Sequence, residues 1–179
     1  MNRWGLAVAL HAALAVSACA FVARGEAPAL NEPLSGRIAV RIEAHDTQAA
    51  RSETAGFELS GEAQAGQLKL STPLGSTLAQ SRWSPDSVVL ATPQGERRFV
   101  DLDALTRELL GESVPVAALF DWLRGRPWLG APSTKTAAPA EPGFVQLGWT
   151  VSLAGFSKGW VVARRDGAPA VTVRVKLDR

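Results

Sequence analysis

The chain has 179 residues, a net charge of +2 and a single cysteine. Charges of both signs are interspersed, which disfavours nucleic-acid binding, and one cysteine alone excludes an intramolecular disulfide. Two histidines and one cysteine are too few for a His/Cys metal cluster, and the sequence has no glycine-rich phosphate loop. The sequence therefore predicts a protein that is not an enzyme and that needs no metal or cofactor.

The N-terminus has the layout of an export signal. A basic start and an apolar stretch, residues 6–16, lead to the sequence Val-Ser-Ala-Cys, which ends at Cys19. This order resembles a bacterial lipobox, in which residues 1–18 are removed and Cys19 becomes the lipidated first residue. Ala20, and not Asp, follows the cysteine. By resemblance to lipoproteins of enteric bacteria, this indicates lipid anchoring in the outer membrane of a Gram-negative bacterium, facing the periplasm.

Two other interpretations of the N-terminus stay open. The small residues also suit ordinary signal cleavage, which would leave an odd cysteine in a secreted protein. An uncleaved anchor is disfavoured, because the apolar stretch is shorter than the roughly 20 residues that a spanning helix needs. Residues 19–34, rich in alanine, proline and polar groups, are interpreted as a tether. Residues 35–179 are interpreted as one domain.

Alternating apolar residues predict a run of strands after the tether. Ile38, Val40 and Ile42 share one face of the first strand. Similar patterns predict strands near residues 55–59, 68–70, 78–83, 88–91 and 97–100. Residues 72–76, with the sequence Thr-Pro-Leu-Gly-Ser, interrupt the pattern as a loop.

Helical spacing replaces the alternation after residue 100. Asp101 can cap a first helix that ends at Gly111, and Pro115 suits the first turn of a second helix that ends at Gly125. The apolar stripes of the two helices are formed by Leu102, Leu105 and Leu109, and by Val116, Leu119, Phe120 and Leu123. Asp101, Asp103 and Asp121 are interpreted as cap or solvent residues and not as catalytic acids.

The last third of the chain is again predicted to be β. Residues 130–143, which contain three prolines, are interpreted as a mobile loop. One long strand is predicted over residues 145–153, with Val145, Leu147, Trp149, Val151 and Leu153 on its apolar face. Two further strands, over residues 160–164 and 171–177, flank a hairpin turn at residues 165–167.

This order of elements predicts a curved antiparallel sheet, because short turns join its successive strands. One face of the sheet is apolar along its whole length, and the two short helices are the only elements available to cover it. The interior of such a half-barrel is either packed solid or holds a cavity for an apolar ligand. The alternation of residues is compatible with both.

Several segments resemble the LolB family of outer-membrane lipoproteins. The most specific are the Pro73-Leu74-Gly75 loop and the sequence Trp-Leu-Arg-Gly-Arg-Pro at residues 122–127. Residues 34–41, 56–57, 68–77, 148–149 and 173–177 match as well, so that with the lipobox the resemblance spans nearly the whole chain. The chain departs from the family at Leu59, where members often carry Trp, and at Arg179, where it ends without the aromatic residue often found there.

The resemblance implies a mainly β (α+β) fold, a curved, incomplete antiparallel barrel whose short helical lid encloses a hydrophobic cavity. It implies a receptor that accepts lipoproteins from a periplasmic carrier of the LolA type by binding their acyl chains, and inserts them into the outer membrane. The implied partners are acylated lipoprotein cargo, that carrier and outer-membrane phospholipid, with the chain itself a monomer. The alternatives are a lipoprotein that binds another lipid or glycolipid, and a structural envelope lipoprotein with a solid core.

The resemblance also assigns residues to these roles. Leu74, flanked by Pro73 and Gly75, is expected from the resemblance to project towards the membrane, whereas the residue pattern alone favours a side chain that folds back onto a neighbouring strand. Trp122 is expected to be the main acyl contact on the helices because it is large and lies beside their apolar stripe. The expected cavity residues are Ile38, Val40, Phe57, Leu68, Leu70, Val88, Leu90, Leu119, Trp122, Leu123, Trp149, Val151, Val173 and Val175.

Overall fold

The structure, a computed structural model, describes residues 32–178. Six strands come first, and each is joined to the next by a short connection, as the alternation predicts. The first strand begins at Leu34, the last residue assigned to the tether. The strands are β1 (Leu34–Ile42), β2 (Arg51–Gly61), β3 (Gly66–Ser71), β4 (Thr77–Ser84), β5 (Ser87–Thr92) and β6 (Gly95–Phe99).

Two helices follow, α1 (Leu102–Leu110) and α2 (Val116–Trp122). The carboxylate of Asp101 accepts a 2.6 Å hydrogen bond from the backbone N–H of Ala104 and so caps α1. Gly111 ends α1 in the left-handed conformation, with φ 76°. The helix boundaries predicted from the caps are therefore confirmed at both ends of α1.

Five strands complete the chain. They are β7 (Ser133–Lys135), β8 (Gly143–Gln146), β9 (Trp149–Ser152), β10 (Trp160–Arg165) and β11 (Val171–Leu177). The interpretation of residues 130–143 as a loop throughout is wrong, because residues 133–135 pair with β8 as a short edge strand.

The single long strand predicted over residues 145–153 is also wrong. Leu147 and Gly148 have φ values of 54° and 76°, and these two positive angles form the tight turn of a hairpin between β8 and β9. The turn reverses the chain, so Phe144 and Gln146 face the interior on β8. Val145 and Leu147, expected on the apolar face, are 42% and 46% exposed.

The eleven strands form one antiparallel sheet in the order β6-β5-β4-β3-β2-β1-β11-β10-β9-β8-β7. The first and last strands of the chain, β1 and β11, pair in the middle of the sheet, where Ile38 of β1 lies opposite Val175 of β11. Strands β6 and β7 are edges that do not pair with each other, so the curled sheet is an incomplete barrel. The predicted fold class, with α1 and α2 as a helical lid, is confirmed.

The interior of this barrel has two different halves. On the side of β8–β11, Trp122 of α2 packs against the rings of Phe144 and Trp149, with centroids 6.3 Å away in each case. These large aromatic rings fill the space under the sheet. On the side of β1–β5, the side chains that face inward are mostly aliphatic, and here the barrel holds a cavity.

Candidate functional site

The cavity has a volume of about 300 Å³ and lies between the concave face of β1–β5 and the two helices. Its wall is apolar except at Glu53, Thr54, Ser81 and Thr106. Its volume is at the lower end of the roughly 300–1,000 Å³ typical of small-molecule sites, which are likewise mostly apolar. A hydrophobic chain can be buried against such a wall without forming hydrogen bonds.

Six of the expected cavity residues lie in this wall. Their side chains come from three strands, β1, β3 and β5, and from α2, and they are Ile38, Val40, Leu68, Leu70, Leu90 and Leu119. Antiparallel register brings them together, since directly opposed residues share a face of the sheet; Leu70 of β3, for example, lies opposite Ala79 of β4 in the same wall.

The other eight expected residues do not line this cavity. All eight are buried in the core, and they are Phe57, Val88, Trp122, Leu123, Trp149, Val151, Val173 and Val175. Most belong to α2 and to the half of the barrel that the aromatic rings fill. Val88 instead borders a more polar, more open recess beside Trp83. A shared inward direction was therefore not sufficient to place a residue at the cavity.

Trp122 is the clearest departure from expectation. Its side chain is completely buried, and its indole N–H donates to the side-chain carbonyl of Gln146 at 2.8 Å. The arginines that follow Trp122 also contact α2. Arg124 donates to the carbonyl of Phe120, and Arg126 pairs with Asp121, each at 2.7 Å. The segment 122–127, which carries the most specific likeness, thus stabilises the end of α2 and does not line the cavity.

The structure adds α1 to the site. Four leucines of this helix, together with Val114 and Val116, close the cavity from above; they are Leu102, Leu105, Leu109 and Leu110. The sequence shows these leucines as an apolar stripe at helical spacing. That stripe predicted a helix that covers the sheet, but it did not predict that the leucines line a cavity. Leu78 at the start of β4 and Leu109 are 44% and 43% exposed, which places them at the rim of the cavity.

Polar contacts hold α1 over the sheet. Arg97 of β6 pairs with Glu108 at 2.7 Å, and Arg51 of β2 donates to the carbonyl of Leu110 at the end of the helix. A cation at a helix C-terminus also interacts favourably with the helix dipole. Further along, Arg165 of β10 pairs with Glu112 between the two helices. The lid is therefore fixed to three different strands.

The loop between β3 and β4 carries the most exposed leucine next to the cavity. Leu74 is 95% exposed, and the cavity residues Leu70 and Leu78 lie on either side of the loop. The backbone N–H of Gly75 donates to the carbonyl of Thr72 at 2.9 Å, and that of Thr72 donates to the carbonyl of Ser76 at 2.8 Å. Gly75 has φ 86°, a value that glycine adopts without strain. The loop is therefore ordered by its own hydrogen bonds while its apolar side chain stays in solvent.

The side chains whose pKa values are shifted lie away from the cavity wall. The hydrogen bond from Arg41 lowers the pKa of the Glu43 carboxyl, and both side chains are on the outside of the sheet, away from the cavity wall. Within residues 32–178, no group of three His, Cys, Asp or Glu side chains is arranged to hold a metal ion. In the same part of the chain, no helix combines the length and apolar character needed to span a membrane.

A curled, incomplete antiparallel barrel that surrounds an apolar cavity under two helices belongs to the class of barrel proteins whose interior offers a site suited to hydrophobic ligands. Comparison with known proteins identifies the family within this class. The sequence model of the family described as "Outer membrane lipoprotein LolB" matches residues 33–178. The chain belongs to this family, and it is an outer-membrane lipoprotein, as its resemblance and its lipobox predict.

Individual relatives agree with the family match. The outer-membrane lipoprotein LolB of Cupriavidus necator is 34% identical over 95% of this chain and 85% of its own length. The outer-membrane lipoprotein LolB of Bordetella pertussis is 35% identical over 98% of this chain and 93% of its own length. The protein of the same name from Ralstonia nicotianae is 37% identical over 63% of this chain and 54% of its own length.

Proposed function

We propose that this chain receives lipoproteins from a periplasmic carrier of the LolA type, holds their acyl chains in the cavity and inserts them into the outer membrane. The observation that carries the proposal is the apolar cavity of about 300 Å³ with the exposed Leu74 loop next to it. Membership of the LolB family supports it. The energetics agree, since each buried methylene contributes about 0.8 kcal/mol and an acylated protein cannot cross an aqueous gap unaided.

Delivery of this kind needs no covalent step. The acyl chains move from one apolar environment to another. The direction of transfer is therefore set by how favourable the free energy of acyl-chain burial is in the carrier, in the cavity and in the bilayer. In this proposal the chain is a monomer that acts without cofactor or catalytic group, and the phospholipid of the outer membrane is the final acceptor.

Lipid attachment at Cys19 completes the proposal. Cys19, the residues assigned to the signal, and residues 20–31 of the assigned tether lie outside the described residues. In this scheme residues 1–18 are removed, the acylated Cys19 anchors the chain, and the residues between Cys19 and β1, which begins at Leu34, link the anchor to the folded domain. The Cys19→Ala chain should then appear in the soluble periplasmic fraction. Recovery of peptides from upstream of Cys19 in the wild-type protein would contradict the assignment.

The direct test is a transfer assay. Radiolabelled lipoprotein bound to its periplasmic carrier is mixed with this chain and with liposomes, and cargo is followed in each fraction. We expect cargo to form a complex with the chain and then to sediment with the liposomes. A chain that takes up phospholipid or glycolipid but no lipoprotein from the loaded carrier would instead support the alternative of a different lipid cargo.

A further inference from the structure

One charged side chain interrupts the apolar wall of the cavity. Glu53 lines the cavity, and no other wall residue is an Asp, Glu, Lys, Arg or His. In the register of β1 and β2, Glu53 lies opposite Val40, which is buried in the same wall. Directly opposed residues share a face, so Glu53 belongs to the concave face, together with Ala55, where alternation calls for an apolar residue.

Glu53 has no structural partner that would explain its position. The part of the chain that the structure describes provides its carboxylate with neither an ion pair nor a hydrogen bond. The one cation within β2 is Arg51, which donates to the carbonyl of Leu110 and borders a small crevice beside α1. Glu53 borders that crevice too, but Arg51 is not part of the main cavity wall.

The location of Glu53 is the rim of the cavity. Glu53 is exposed, as are Leu78 and Leu109 in the same wall, whereas Leu90 and Leu119 are buried. A ligand that inserts its hydrocarbon end into the cavity leaves its polar end at this rim. The charge of that polar end therefore meets the carboxylate at the edge of a low-dielectric wall, where charge interactions are stronger than in bulk water.

We propose that Glu53 is a specificity-determining residue that admits acyl chains ending in an uncharged group and disfavours chains ending in an anionic group. The inference rests on the proposed function, because it concerns the ligands of the same cavity. The ester- and amide-linked chains of a lipoprotein carry no charge where they join the protein. Fatty acids carry a carboxylate at that position, and acidic phospholipids carry a negative phosphate on the glycerol a few bonds beyond their acyl esters, so the carboxylate of Glu53 disfavours occupation of the cavity by the membrane's own anionic lipids.

The test compares three ligands that have the same twelve-carbon chain and different permanent charge. Dodecanesulfonate is anionic, monolauroylglycerol is neutral and dodecyltrimethylammonium is cationic. Each displaces the neutral fluorescent probe N-phenyl-1-naphthylamine from the mature chain carrying Cys19→Ala, which needs no detergent. At low ionic strength we expect the neutral ligand to bind about 3- to 10-fold more tightly than the anionic one. The cationic ligand should bind at least as tightly as the neutral one.

Glu53→Gln keeps the size of the side chain and removes its charge, and it should bring the three affinities to within about 2-fold of one another. The matched control is Glu62→Gln, because Glu62 is exposed just after β2 and is not part of the cavity wall. It should keep the wild-type order. About 0.5 M NaCl should reduce discrimination in the wild type and leave Glu53→Gln unchanged.

The outcomes separate the two proposals. Equal binding of the anionic and neutral ligands by the wild type, or unchanged discrimination in Glu53→Gln, would overturn the role of Glu53 while leaving a functional acyl cavity. Failure of all three ligands and of the probe to bind would instead contradict the cavity of the proposed function.

Discussion

The indole Nε1 of Trp122 lies 2.8 Å from Oε1 of Gln146, and this hydrogen bond joins α2 to β8 in the core. The same oxygen accepts from the backbone N–H of Trp128 at 2.9 Å. The amide nitrogen of Gln146 donates to the carbonyls of Trp128 and Ala131, each at 2.7 Å. The buried amide of Gln146 thus provides hydrogen-bond partners both for a side chain of the lid and for backbone groups of the segment that follows the lid.

The first prediction concerns this amide. Gln146→Leu has similar volume but leaves a buried indole N–H and several backbone groups unpaired, so it should lower the free energy of unfolding by about 2–4 kcal/mol. Urea denaturation measures the change. The control is Gln48→Leu, since Gln48 is exposed and its side chain has no hydrogen bond in the described part of the chain. An unchanged unfolding midpoint in Gln146→Leu would show that the network contributes no stability.

The second prediction concerns the role of Trp122. Because Trp122 is buried in the aromatic half of the barrel and is absent from the cavity wall, Trp122→Phe should leave binding of N-phenyl-1-naphthylamine within about 2-fold of wild type. Stability should fall by about 1–3 kcal/mol through loss of the hydrogen bond and of ring volume. Fluorescence titration and urea denaturation give the two values. A large loss of binding in a fully folded variant would restore Trp122 as a ligand contact.

The third prediction tests the cavity by filling it. Ala79 of β4 lines the cavity, so Ala79→Phe should occupy part of its volume and weaken binding of a neutral acyl probe by about 10-fold or more. The added ring enters existing space, so the unfolding midpoint should change little. Ala50→Phe places the same ring on an exposed position outside the wall and should bind normally. Normal binding by Ala79→Phe would mean that the probe sits elsewhere.

The fourth prediction concerns delivery to the bilayer. Burial of one leucine in lipid contributes about 1.5–3 kcal/mol, so Leu74→Glu should slow transfer of cargo into liposomes by about 10-fold or more. The fold and the uptake of cargo should be preserved, because Leu74 is 95% exposed. Leu129 is 97% exposed and not part of the loop, which makes Leu129→Glu the matched control. Transfer at the wild-type rate by Leu74→Glu would exclude a membrane role for the loop.

The fifth prediction isolates the packing at the end of α2. Gly125 and Gly148 have almost the same φ, 77° and 76°, so alanine costs similar backbone strain at each. A Cβ at Gly125 would lie 2.6 Å from Cζ of Phe156, whereas at Gly148 it would meet nothing within 4 Å. Gly125→Ala should therefore destabilise the protein by about 1–3 kcal/mol more than Gly148→Ala. Equal midpoints in urea would show that Phe156 moves aside freely.

The sequence by itself determined the elements whose signals are local. Alternation gave β1 to β6, and Asp101 and Gly111 marked the ends of α1, because caps and strand faces depend on neighbours in the chain. The LolB resemblance could also be found in short segments, and the exposed position of Leu74 was expected from that resemblance and not from the residue pattern alone. The local signals failed at Leu147 and Gly148, where alternation of apolar residues continued through a turn and concealed a hairpin.

Only the tertiary structure decided which buried residues line the cavity. Periodicity assigns a residue to a face, but it carries no information on whether that face meets a filled or an empty volume. Trp122 and Leu119 share a helix and an inward direction, yet one packs against Phe144 and Trp149 while the other borders the cavity. The position of Glu53 at the rim likewise follows from its register with Val40, a pairing between strands that local sequence does not specify.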